Sequence, residues 1–161
     1  MNVRLFALSV LVFGAAGCGQ PSADVPTAEP STGDDAHIAV ILGDSTCQLE
    51  GAMEVAAGPL TIGLVNETDS RFDLDLWRLN DGHQYDELAT HVAEEMRRIQ
   101  AGEEPLGHPD FAELVAEATA DGASAELRTN VTAGTYGFAC VSFATPAGPT
   151  ALWAAGPLRA T

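Results

Sequence analysis

Hydrophobic and polar positions alternate along most of the chain, and one central segment breaks that period. HIAVIL (37–42) reads as a first strand. PLTIGLVN (59–66) reads as a second, with Gly58-Pro59 as turn punctuation before it. In RFDLDLWRL (71–79), Phe72, Leu74 and Leu76 alternate with Asp73 and Asp75, the period of a half-buried strand. Trp77 and Leu79 sit on the other phase, which predicts a bulge or a second covered face. AELRTNV (125–131), TYGFACVSF (135–143) and ALWAAGPLRAT (151–161) are three further strands. Strands spaced by Gly, Pro and Asn turns predict a mainly β domain built as a sandwich.

The central segment has a different period. Tyr85, Leu88, Val92, Met96 and Ile99 recur every three or four positions, which marks one apolar face of a helix. Asp81 is placed to cap its start and Gly102 its end. A shorter helix is expected from Pro109, with Phe111, Leu114, Val115 and Ala118 on one side. Together they predict a helical insertion over about 84–120, roughly 35 to 40 residues, long enough to need its own structure or a function. It is expected to fold over one face or end of the sandwich.

The chain begins MNVRLFALSVLVFGAAGCGQ. Arg4 is a short positive region, Leu5 to Phe13 an apolar one, and Ala15, Ala16 and Gly17 are small residues before Cys18. That order reads as a secretory signal, and the apolar run is too short to span a bilayer unaided. AAGC resembles the lipobox of bacterial lipoproteins, although Ala15 stands where that family prefers Leu. The resemblance implies cleavage after Gly17 and a lipid (palmitate-type) anchor on Cys18. Residues 18–36 then form a flexible Pro-, Ser- and acid-rich tether with a reach of about 25 Å. The folded domain is expected over 37–161, facing the extracytoplasmic side of the cell membrane.

Charge narrows the choice of partners. The chain has a net charge of −16, and every cation is arginine. Such a surface repels nucleic acid and anionic lipid, so membrane attachment must come from lipid rather than a basic patch.

With Cys18 lipidated, Cys47 and Cys140 remain, and an even pair outside the cytoplasm predicts a disulfide. The competing use of Cys140 is a blue-copper site, which needs two histidines and commonly an axial methionine beside the thiolate. The loop after Cys140 contains neither residue type; the last histidine is His108 and the last methionine Met96. A type 1 copper centre is therefore not expected.

The surroundings of this pair resemble the cupredoxin-like domain of periplasmic and surface iron-uptake lipoproteins. The matching positions are Cys47, Val55 with Ala57-Gly58, LTIGLVN ending at Asn66, Gly134 with Tyr136, and Cys140, together with the closing AAGPLRAT. The likeness covers about residues 37–79 and 125–161, and it implies a cupredoxin-like Greek-key β-sandwich carrying the helical insertion. Metal handling, of iron or copper, as an accessory of a transport system is its functional implication. The acidic metal-binding motif expected after the second long strand is not recognisable in DLWRLNDGH, so the resemblance bears on fold more than on metal.

His83, His91 and His108 lie in or beside the insertion. His91 with Glu94 or Glu95 has i, i+3/i+4 spacing, so one helix face can offer imidazole and carboxylate together. Met53 and Glu54, near Cys47, are further groups that a metal site can recruit. The weak metal candidates are thus His83, His91 and Glu95, against the ordinary reading of a solvated helix face. Asp73 and Asp75 share one strand face and read as its solvent side, while Trp77 and Trp153 read as packing residues. No phosphate loop, nucleophile elbow or paired Cys-x-x-Cys motif occurs, and no catalytic residue or cofactor is assigned. The expectation is a non-catalytic, lipid-anchored binding module with a ligand or protein partner at the cell envelope; the alternative is the metal-handling accessory.

Overall fold

The computed structural model describes residues 38–122, 124–143 and 148–161. The signal segment, Cys18, the tether and His37 lie outside the described residues. The elements are β1 (Ile38–Gly43), β2 (Thr46–Gly51), β3 (Glu54–Val55), β4 (Gly58–Asn66), β5 (Arg71–Leu79), α1 (Tyr85–Ala101), β6 (Ala112–Ala120), β7 (Ser124–Val131), β8 (Gly134–Phe143) and β9 (Ala151–Ala160). They form a four-stranded sheet, β2-β1-β4-β7, and a five-stranded sheet, β3-β9-β8-β5-β6. This is the expected Greek-key β-sandwich with a helical insertion. Neighbouring strands are antiparallel except β1 with β4 and β3 with β9, which are parallel.

Alternation builds the core. Val40, Leu42, Ile62 and Leu64 of one sheet face Phe72, Leu74, Leu76 and Phe138 of the other, all buried. Cys47 of β2 and Cys140 of β8 are joined by a disulfide across the layers, with Cα atoms 6.3 Å apart. Tyr136 donates its hydroxyl to Thr132 O at 2.8 Å and accepts the Thr132 N–H at 2.9 Å, which fixes the β7–β8 turn. Trp153 stacks on Phe72 with ring centroids 6.1 Å apart, as its packing role predicts.

The helix is where the period placed it. Its N-cap is Gln84 rather than Asp81: Glu87 reaches back to accept the Gln84 N–H at 2.7 Å. Gly102 ends it in the left-handed region at φ 69°, as expected. Leu88 and Val92 are buried in a second apolar cluster with Trp77, Leu79 and Ala139, on the outer face of the five-stranded sheet. Both readings of Trp77 and Leu79 hold: the outer face is covered there, and the β5–β6 pairing carries a bulge between Leu76 and Trp77.

The second short helix does not form. Residues 112–120 are β6, an edge strand paired antiparallel with β5. The pairing steps from Leu76↔Ala116 to Trp77↔Leu114, so Val115 is an extra residue on the β6 side. That bulge switches which residues face inward: Ala112 and Leu114 join the outer cluster, whereas Ala116 and Ala118 pack on the inner core. A strand that changes faces mid-way places apolar residues at 111, 114, 115 and 118, the spacing of a helix. The insertion is thus one helix and a loop between β5 and β6, and its last nine predicted residues belong to the sandwich.

Candidate binding cleft

The helix does not close fully onto the sheet. Asp75 and Trp77 of β5, Ala139 and Val141 of β8 and Leu152 of β9 form a largely apolar floor. Leu88, His91, Val92 and Glu95 of α1 form one wall, and Gly107, His108 and Pro109 of the following loop form the other. They enclose a cleft of about 220 Å³. A few polar groups converge over an apolar floor, the usual character of a small-ligand site.

Each polar group has a distinct position. The loop is drawn over the helix by side chains of α1: His91 Nε2 meets Gly107 O at 2.8 Å, Glu95 accepts the Leu106 N–H, and Arg98 Nε donates to Glu104 O at 2.6 Å. His108 presents its ring to Trp77 nearly edge-on, with centroids 4.9 Å apart. The rings of His83 and His91 flank Phe111, at 5.3 and 6.0 Å between centroids, and His83 Nδ1 is 3.2 Å from Glu87 Oε1.

Asp75 stands apart from these pairs. Among the described residues it has neither a hydrogen-bond nor an ion-pair partner. Its neighbour in the same row, Asp73, is held by Arg71 at 2.9 Å and by the Thr119 hydroxyl at 2.7 Å. Burial pushes the Asp75 carboxyl up from 3.8 to about 6; the charges of Glu117, its cross-strand partner, and of Asp73 add to this, and His108 opposes it. Asp73 and Asp75 do share one face, and both are half-buried, but at Asp75 that face opens into the cleft beside α1 and its following loop.

The metal candidates separate. His91 and Glu95 line the cleft, whereas His83 does not. Among the described residues no three His, Cys, Asp or Glu side chains converge on a point where one metal ion could be held. Met53 is exposed and Glu54 lies on β3, at the sheet edge opposite β6. Arg97 pairs with Glu94 and Glu103 on the exposed helix surface.

No protein-family model matches the chain, and no curated protein matches it. Two solved structures align with it. Auracyanin B does so at 18% identity and a TM-score of 0.40, over 78% of this chain and 88% of that one. The auracyanin of the photosynthetic bacterium Roseiflexus castenholzii, solved in a dithionite-reduced form, does so at 19% identity and a TM-score of 0.38, over 76% and 94%.

Asp75 and His108 are the residues that sequence reasoning undervalued. A signal for Asp75 lay in its own strand: Trp77 and Leu79 share its parity, and an outer row that turns apolar is a row that something covers. His108 carried no comparable mark, because its position depends on how the loop returns from α1.

Proposed function

We propose that the chain is a non-catalytic, extracytoplasmic binding module, held at the cell membrane by lipid on Cys18, whose binding surface is the cleft beneath α1. The observation that supports this reading is the unpartnered Asp75 carboxylate facing an apolar cleft. Leaving a carboxylate half-desolvated without a partner costs stability, and such costs concentrate at functional sites. The sandwich, stapled by Cys47–Cys140, serves as a rigid support for one helix and one loop. The tether sets the module off from the membrane, and its acidity keeps it from anionic lipid and nucleic acid.

Thermal-shift measurements on the mature chain test the cleft. The set comprises small amines, alcohols, carboxylates, and iron and copper salts, run in parallel on Val141→Phe, which fills the floor. At least one compound is expected to stabilise the parent chain and lose that effect in the variant; saturation at about a hundred times Kd corresponds to about 2.7 kcal/mol. Stabilisation that is equal in both proteins overturns the reading. The metal salts carry the alternative, a metal-handling accessory: His91, His108, Glu95 and Asp75 line one cleft, and stabilisation by iron or copper alone favours that role.

A further inference from the structure

The chemistry of the cleft narrows its ligand, on the reading that the cleft is the binding surface. We propose that it takes a small apolar cation, an ammonium group carried on a compact aromatic or aliphatic frame. The charged end lies at Asp75, and the frame lies against Trp77, Val141 and Leu152.

Three observations carry the inference. The first is the sign of the charge that lines the cleft. Asp75 and Glu95 line the cleft, Glu117 stands across from Asp75 on β6, and none of the lining residues is an arginine. The chain has no lysine to supply a cation instead. Of the two imidazoles present, His91 is held on Gly107 O, and His108, set against the Trp77 ring, is the lining group whose charge favours the Asp75 carboxylate. An anionic ligand would meet two carboxylates in a partly desolvated space, which is strongly unfavourable.

The second is that Asp75 has hydrogen-bonding capacity unused within the described residues, whereas Asp73 does not. An ammonium supplies several donors and a compensating charge at once, so its binding relieves the desolvation that the fold imposes on Asp75. The third is the lining itself. Trp77, nearly fully buried and contacted by His108, borders the cleft two residues along the strand from that carboxylate, and indole is the best of the side chains at attracting a cation. A hydrated metal ion gains nothing from such a surface, and no three ligating side chains converge here among the described residues. The volume, about 220 Å³, lies below the common range of about 300–1,000 Å³ for ligand pockets, so the frame is small.

The test uses three probes of one shape: 2-phenylethylammonium, 2-phenylethanol and 3-phenylpropionate. Each is titrated calorimetrically into the mature full chain in detergent, against matched protein-free micelles. The ammonium is expected to bind at least about tenfold more tightly than the alcohol, with no measurable binding of the carboxylate. In Asp75→Asn, an isosteric change, the ammonium should fall to the affinity of the alcohol, while the alcohol is unchanged. A preference that survives Asp75→Asn, or equal binding of ammonium and alcohol, or no binding of the ammonium, overturns the inference. Val141→Phe separates this from the parent reading: equal binding of ammonium and alcohol that Val141→Phe abolishes leaves the cleft standing and removes only the cation. Binding that Val141→Phe leaves intact removes both.

Discussion

Leu88 of α1 lies over Gly137 of β8 so closely that a Cβ at position 137 would stand 2.5 Å from Leu88 Cδ2. The same Cβ would stand 3.0 Å from Tyr85 Cδ2, and one on Gly156 would be 3.0 Å from Tyr85 Cε2. Two glycines on adjacent strands thus make the flat seat on which the first turn of the helix rests. Gly137→Ala is therefore expected to lift the helix and destabilise the domain by about 1–3 kcal/mol. Denaturant unfolding measures it. The loss should shrink when Leu88→Ala is already present, because the two residues share one contact. An unchanged loss in that background speaks against the seat.

The staple is expected to be complete in the folded protein. Without reductant, neither Cys47 nor Cys140 should react with a thiol label. The bridge closes a sequence separation of 93 residues. Replacing both cysteines by serine should cost about 2–5 kcal/mol by urea unfolding. A double variant as stable as the parent would refute this.

Asp75 predicts an unusual pH dependence. Its carboxyl titrates near 6 in the folded chain and near 3.8 when free. Between those values the folded state holds the proton more firmly, so the contribution of Asp75 to stability is fully present below 3.8 and is lost as pH rises through about 6. Asp75→Asn removes this loss. The variant should gain on the parent from about pH 4 upward and level off above about pH 6, by on the order of 1–2 kcal/mol after allowing for solvent in the cleft. Unfolding free energies at four pH values decide it; a constant difference across the range contradicts the assignment.

Lipid attachment is tested by Cys18→Ser. The chain should appear in the soluble fraction or persist as an uncleaved precursor at the membrane. A mature-sized protein that remains membrane-bound would show that Cys18 is not the anchor.

Much of the sandwich was legible because a strand with one buried face writes its period into the sequence: β5 was predicted at its observed bounds, and β4 and β8 within one residue. The Cys47–Cys140 pair was legible for a different reason, since it follows from counting cysteines rather than from geometry. β6 was not legible. Its alanines serve a helix and a strand about equally as apolar positions, and the bulge at Val115 gave a two-faced strand the look of a helix. The cleft was legible only in pieces. The helix face and Trp77 were recognised separately, but nothing along the chain states that α1 and the loop after it border the outer row of β5, and that is what turns Asp75 from a surface acid into a half-buried one.

Asn80 and Phe111 close the neck of the insertion: the Asn80 N–H donates to Phe111 O at 2.9 Å, and the Asn80 side chain to Asp110 O at 3.4 Å. Beyond that neck β5 and β6 pair as the two arms of an ordinary hairpin. The helix and its loop are therefore a hairpin turn grown large. Lengthening a closed loop is entropically cheap, about 0.6 kcal/mol per doubling. A different segment joined at that pair of residues would keep the β5–β6 pairing but would have to supply its own apolar cover for Trp77, Leu79 and Ala139.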